Sequence, residues 1–228
     1  DPIYTTEALH RSANVAIALN QLEQAKQRLV QALSSAEKIQ DDNDRSDALH
    51  EVATAYGKLN APAIAQSVLA KALSSAEKIP DDYTRSSALS GIAAAYGELK
   101  APTIAQSVLA KALSSAEKIP GDSARSSVLH AIATAYGKQN APTIAQSGLA
   151  KVLSSAEKIP DDHARSDALS GIATAYGKLN EPAIAQSGLA KVLSSAEKIP
   201  ADYARSRALR AIATAYGKQN APTIAQSG

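Results

Sequence analysis

Leu153-Ser154-Ser155-Ala156-Glu157-Lys158-Ile159 decides the fold, because the same seven residues stand at 33–39, 73–79, 113–119 and 193–199. The step is 40 residues each time. A fixed period of that size marks a repeat array, in which each repeat buries its apolar face only against its neighbours. The next repeat reads DDHARSDALSGIATAYGKLN over 161–180 and EPAIAQSGLAKVLSSAEKIP over 181–200. In its first half Ala168, Ile172, Ala175 and Leu179 recur at helical spacing, with Leu169 and Tyr176 beside them. This predicts an amphipathic helix, A. In the second half Ala185, Leu189, Val192, Ala196 and Ile199 predict a helix B of roughly 18 residues, about 27 Å long. Asp162 is expected to cap helix A and Asn180 to end it in the left-handed conformation. Pro182 opens helix B, and Pro200 prevents its continuation.

The repeats tile residues 1–228 as one array: 1–40, 41–80, 81–120, 121–160, 161–200 and a truncated 201–228. The expected fold class is all-α, a right-handed α-solenoid superhelix of stacked helix hairpins. The first repeat has Ser12 where later ones have Val or Ile, and Ala16 where they have Tyr, and reads as an N-terminal cap. The last stops at Gly228, eight residues into a helix B, so the chain reads as part of a larger protein. Ile212, Tyr216 and Ile224 are expected to lack a full partner. Helix A of this repeat should pack on the preceding helix B, residues 221–228 should be the least ordered, and self-association through this uncapped end is expected.

Composition narrows the function. Phe, Trp, Met and Cys are absent, so Ala, Leu, Ile, Val and Tyr build the core. A net charge of +2 with interspersed signs is no footprint for nucleic acid. Without cysteine there are no disulfides and no thiolate metal sites, and the compartment stays open. No apolar run approaches the ~20 residues of a membrane span.

Leu169-x-x-Ile172-Ala173-x-x-Tyr176 resembles the W-x2-L-G-x2-Y of tetratricopeptide repeats (TPR), and Ala185-x-x-x-Leu189 their A-x3-F. The first pattern recurs at Leu49–Tyr56, Leu89–Tyr96, Leu129–Tyr136 and Leu209–Tyr216. Leu replaces Trp, Ala replaces Gly, and the repeat exceeds the family's 34 residues by six; HEAT-like repeats of about 40 residues are the alternative. The near-identity of the repeats marks recent duplication or consensus engineering. The TPR resemblance implies a concave helix A face that binds peptides.

Differences between repeats concentrate at positions 3, 7, 10 and 11. Position 7 is Asp47, Ser87, Ser127, Asp167 and Arg207; position 10 is His50, Ser90, His130, Ser170 and Arg210. Position 11 is Glu51, Gly91, Ala131, Gly171 and Ala211, and position 14 is Thr54, Ala94, Thr134, Thr174 and Thr214. Positions 7, 10, 11 and 14 share one face of helix A. The resemblance extends the face to position 18: Lys58, Glu98, Lys138, Lys178 and Lys218. The expected function is a non-catalytic scaffold for a protein or peptide partner. The alternatives are a structural or self-assembling array that stacks end to end, or free drift of solvent-facing positions. In some TPR proteins Lys and Asn on this face clamp a terminal carboxylate; only Asn14 carries that Asn here.

No enzyme, cofactor or metal is expected. His10 and His50 stand one repeat apart, but two imidazoles alone make a poor zinc site, and these two, His130 and His163 read as surface residues. Ser46, Asp47 and His50 are triad types without triad geometry. Asp161-Asp162-His163 suits a helix cap, and Gly91 and Gly171 are isolated glycines rather than a phosphate loop. The invariant Arg45, Arg85, Arg125, Arg165 and Arg205, and the Glu-Lys pairs such as Glu157-Lys158, are expected to join repeats.

Overall fold

The computed structural model describes residues 1–220, without the side chain of Asn220; the expectations for Ile224 and for 221–228 fall outside it. Eleven helices and no strand occur among the described residues. The A helices are α1 (Pro2–Ala18), α3 (Asp42–Lys58), α5 (Asp82–Glu98), α7 (Asp122–Gly137), α9 (Asp162–Tyr176) and α11 (Asp202–Asn220). The B helices are α2 (Leu22–Ala36), α4 (Pro62–Ala76), α6 (Pro102–Ala116), α8 (Pro142–Ala156) and α10 (Pro182–Glu197). The chain divides into two compact halves, Asp1–Val108 and Leu109–Gly228.

Prolines 62, 142 and 182 open their B helices in the first turn, where the missing N–H has no helical partner to lose. The B helices are shorter than expected, 15 residues in α8 and 16 in α10. The Glu-Lys-Ile of the repeated motif leaves the helix: Lys158 N and Ile159 N donate to Ser155 O (3.3 Å) and Ala156 O (3.1 Å) in a tight turn. Ile159 is fully buried and anchors that turn. The cap of α9 is Asp161, which accepts from Ala164 N at 2.7 Å, and not Asp162. The ends of the A helices also differ from expectation. Asn20, Asn60 and Lys100 are left-handed (φ 59°, 55° and 57°), whereas Asn180 is not, because α9 already stops at Tyr176 with Gly177 at φ −64°.

The invariant residues act between repeats. Asp162 pairs with Arg165, and its other oxygen accepts from Ala201 N, one repeat on, at 3.0 Å. Arg165 Nη1 donates to Ile159 O at 2.9 Å, and Arg205 to Ile199 O at 2.8 Å. Arg45 donates to Ile39 O at 2.6 Å and to Ser75 Oγ at 3.0 Å. Each arginine thus closes the carbonyl-rich end of the preceding hairpin, where a cation is favoured. The seven-residue motif also bonds to its own copy: Ser155 Oγ donates to Glu117 Oε1 at 2.5 Å, and Ser195 Oγ donates to Glu157.

In the C-terminal half, A helices approach closely. A Cβ on Gly137 would lie 2.9 Å from Ala175 Cα, and one on Gly177 would lie 2.9 Å from Ala215 Cβ. Ser126 and Ser166 donate across this contact to Ala164 O (2.6 Å) and Ala204 O (2.7 Å). The rings of Tyr136 and Tyr176 lie over Gly148 and Gly188 of the B helices, within 2.2 Å of where a Cβ would stand. Ile172, Leu169, Leu189 and Val192 are fully buried, each worth about 1.5–3 kcal/mol. α11 packs on α9 and α10.

The N-terminal half is packed differently. Val68 of α4 occupies the repeat position of Gly148 and Gly188, and Ala72 that of Val152 and Val192. A valine there excludes a ring lying against the backbone. The A helices α3 and α5 stand further apart: among the described residues, and beyond the backbone of its own helix, a Cβ on Gly57 would meet Leu99 Cδ2 alone, at 3.4 Å. Ser46, equivalent to Ser126 and Ser166, is buried with no hydrogen-bond partner among the described residues. In the first hairpin Ala16 is buried, while Tyr4, Val15, Leu19 and Val30 are exposed, so its outer surface is more apolar than a polar cap would be.

Candidate functional site

In the N-terminal half the A face is organised by one polar chain. His10 Nδ1 lies 3.3 Å from Glu51 Oε2, Asn14 Nδ2 lies 2.8 Å from His10 Nε2, and Lys58 Nζ donates to Asn14 Oδ1 at 3.3 Å. With Lys58 fixing the amide, Asn14 donates to Nε2, so Nδ1 carries the proton towards Glu51 and His10 is neutral. Burial lowers the His10 pKa first, with Glu51 opposing it and Lys58 and Arg11 adding to it. His10 therefore meets Glu51 and not His50. His50 is half-buried over Gly91, its Cε1 3.6 Å from where a Cβ would stand, and burial lowers its pKa as well.

Asp47 and Glu51 are exposed and line a cavity of about 170 Å³ with Glu7 and Asp44. Burial, then Glu51 and Asp44, raise the Asp47 pKa. Thr54 is half-buried and donates to His50 O at 3.0 Å. Ser87, Glu98 and Lys58 are exposed. Ser90 differs from expectation: it is buried and donates to Ser86 O of its own helix at 2.8 Å, so it offers nothing to the surface.

In the C-terminal half two cavities lie on the A face. One, of about 350 Å³, is lined by Ser123, Ser126, Ser127, His130, Ala131, Asp167, Ser170 and Arg207. The other, of about 280 Å³, is lined by Ser170, Thr174, Arg207, Arg210, Ala211, Thr214, Ala215 and Lys218. All these residues belong to α7, α9 and α11, and no B helix contributes. Asp167 and Arg207 form an ion pair at 2.5 Å between the two cavities. Lys138 and Lys178 are exposed, and Thr134 is half-buried. The ring of His130 lies over Gly171, its Cγ 2.6 Å from where a Cβ would stand, so part of the variation at positions 10 and 11 is size matching between neighbouring repeats. Among the described residues no group of three or more His, Cys, Asp or Glu is placed to hold a metal ion, and no helix is long and apolar enough to cross a membrane.

No established family profile matches the chain, and no curated protein does. Solved structures do. Ton1535 from Thermococcus onnurineus NA1 is similar over 96% of this chain and 84% of its own, at 14% identity and a TM-score of 0.54. A Podosopora anserina putative kinesin light chain with nearly identical TPR-like repeats is similar over 88% of this chain and 98% of its own, at 21% identity and a TM-score of 0.50. The fold is TPR-like. This TPR-like solenoid joins an all-helical architecture to repeats that are near copies of one another, as the second of those structures does.

The exchange of Val-Ala for Gly-Val at positions 28 and 32 is not among the differences read from the sequence, although the glycine is what lets a tyrosine ring lie against the B helix. The change is paired: the second and third repeats carry Val at position 28 with Ala at 32, and the fourth and fifth carry Gly at 28 with Val at 32.

Proposed function

We propose that the A-helix face of this TPR-like array binds an extended or helical segment of a protein partner and carries out no covalent chemistry. The observation that supports it is the lining of the two C-terminal cavities by A-helix residues alone, including seven of the residues that vary between repeats or extend that face: Ser127, His130, Asp167, Ser170, Thr174, Arg207 and Arg210. Concave sites with a few convergent polar groups are where ligands dock. The hydroxyls of Ser170 and Thr174 are engaged with their own helix and Arg207 is paired with Asp167, which leaves Arg210 and Lys218 as the charges that meet a partner first, with the Arg207–Asp167 pair beside them. The test is selection of displayed peptides on the intact chain, with counter-selection on the Arg207→Glu/Arg210→Glu variant. Peptides that bind the chain and lose affinity on the variant support the reading. Selection that yields only peptides indifferent to the variant and to changes at Lys178 and Lys218 overturns it.

Self-association is a second reading, supported by Gly217 of α11. Gly137 and Gly177 are covered by Ala175 and Ala215, whereas among the described residues nothing lies within 4 Å of a Cβ on Gly217. That surface fits a helix with alanine at position 15. α1 presents Val15 there, so a two-fold contact between α11 surfaces fits better than head-to-tail stacking. Sedimentation equilibrium separates these: a dimer supports the reading, a monomer at high concentration ends it, and an open-ended series refutes the two-fold form.

A further inference from the structure

α3 and α5 do not close on one another as the A helices of the C-terminal half do. The gap they leave is a cleft of about 240 Å³, walled by Gly57, Ala95 and Leu99 and floored by Leu69, which is itself fully buried. Three observations agree that the opening is built in. A Cβ on Gly57 has only the tip of Leu99 near it, Ser46 lacks the cross-helix bond that Ser126 and Ser166 make, and Val68 fills the space taken elsewhere by a tyrosine ring. At the mouth stand Lys58 and the exposed Glu98. Lys58 is turned to Asn14, so Glu98 is the charge that faces an incoming group, and Asp47 and Glu51 make the surrounding face acidic.

We propose that this cleft is a socket for one leucine-sized apolar side chain of a bound peptide segment whose neighbouring residue is Lys or Arg, set against Glu98. The proposal rests on the reading of the A face as a binding surface and names the chemistry recognised on its N-terminal half. The volume admits a leucine side chain and excludes little else of the same polarity. Ala53, Gly57, Leu69, Ala95 and Leu99 give it apolar walls, and the Thr54 hydroxyl on the lining is engaged with His50 O, so burial supplies the affinity and Glu98 the preference for a cation beside it.

The probe is the capped peptide Gly-Ser-Leu-Lys-Ser-Gly, with its Leu→Ala and Lys→Glu forms, titrated into the isotope-labelled full chain and followed by amide NMR. The expected result is saturable shifts at Gly57, Ala95 and Leu99. The Leu→Ala peptide should bind at least about tenfold more weakly, the factor that burial of a leucine side chain supports. Glu98→Gln should remove the difference between the Lys and Glu peptides. Ala95→Leu fills the socket and should abolish binding; if it fails to fold, Gly57→Val does the same from the opposite wall. Equal binding of the Leu and Ala peptides, or no saturable shift at these residues at millimolar peptide, overturns the proposal. Shifts confined to Lys178, Arg207 and Arg210 overturn it while leaving the binding face intact. A chain on which no peptide of any sequence binds the A face removes both readings.

Discussion

Gly91 and Gly171 occupy the same repeat position in helices that differ at few residues, and the structure predicts opposite signs for the same substitution. A mid-helix glycine replaced by alanine gains about 0.5–1 kcal/mol where the methyl is accommodated. On Gly91 the new Cβ would meet His50 Cε1 at 3.6 Å and Nδ1 at 3.9 Å, ordinary contacts, so Gly91→Ala should stabilise by about that amount. On Gly171 it would lie 2.6 Å from His130 Cγ, 2.7 Å from Nδ1 and 3.1 Å from His130 Cα. The ring must withdraw by about 1 Å to restore a contact of about 3.5 Å, and the Cα can withdraw only if α7 moves. Overpacking of this kind costs about 1–3 kcal/mol, so Gly171→Ala should be destabilising by roughly 0.5–2 kcal/mol after the propensity gain. Urea unfolding of both variants, read as a shift in midpoint at unchanged slope, measures the difference. His130→Ser in the Gly171→Ala background should recover most of the loss, because Ser170 already stands beside Ala211 in that arrangement and only the 3.1 Å contact with the Cα of residue 130 remains. Two variants shifted in the same direction would show that the spacing of the A helices does not differ between the halves as described.

Lys100 holds φ 57° where Asn20 and Asn60 do the same work, so Lys100→Asn should raise stability by about 0.5–1 kcal/mol in the same urea assay, and a loss would refute the turn assignment. Arg165→Met removes the bond to Ile159 O and the pair with Asp162 from a largely buried position, and should cost about 2 kcal/mol; a change below about 0.5 kcal/mol would deny the arginine its structural role. The pKa values of His10 and His50 are lowered chiefly by burial, so the unfolded chain takes up protons from the ordinary value of 6.5 while the folded chain does not. Their contribution is complete above 6.5 and falls as pH drops below it; unfolding midpoints from about pH 7.5 to about pH 5 should decline, and the His10→Gln/His50→Gln variant should flatten that slope.

The repeat period, the helix hairpins and the prolines that open the B helices are legible because each rests on local chemistry. Asp162 as the cap misses by one residue because two aspartates stand together and the choice depends on Ala201 N, an atom 39 residues away. The B helices are shorter than their apolar pattern because Ile159 keeps the periodicity after the helix has ended, anchoring a turn instead of a further coil. Ser90 carries the residue type and spacing of the candidate face but is buried, and its bond to Ser86 O cannot be read from spacing. By residue type His10 reads as a surface residue; its bond to Asn14 follows the spacing of α1, but its contact with Glu51 depends on how closely α1 and α3 lie, which one sequence does not give. The socket between α3 and α5 is not legible for the same reason: it depends on how far those two helices stand apart, and the exchange of valine along helix B that accompanies it is invisible to any pattern of apolar against polar.

The seating of the His130 ring over Gly171 also bears on how such an array could change its length. Recombination between near-identical coding segments removes or adds whole repeats, and at that level all repeats look equivalent. Deleting 161–200 would set His130 against Ala211, the same clash that Gly171→Ala creates. Deleting 121–160 would set Ser90 ahead of Gly171, a pairing of two small residues that leaves a void rather than a collision. The two deletions yield chains of equal length and nearly equal composition, yet one strains a helix contact and the other only loosens it. Each repeat therefore specifies which repeat can follow it, and an array that grows or shrinks by copying is held by its own packing to a particular order of copies.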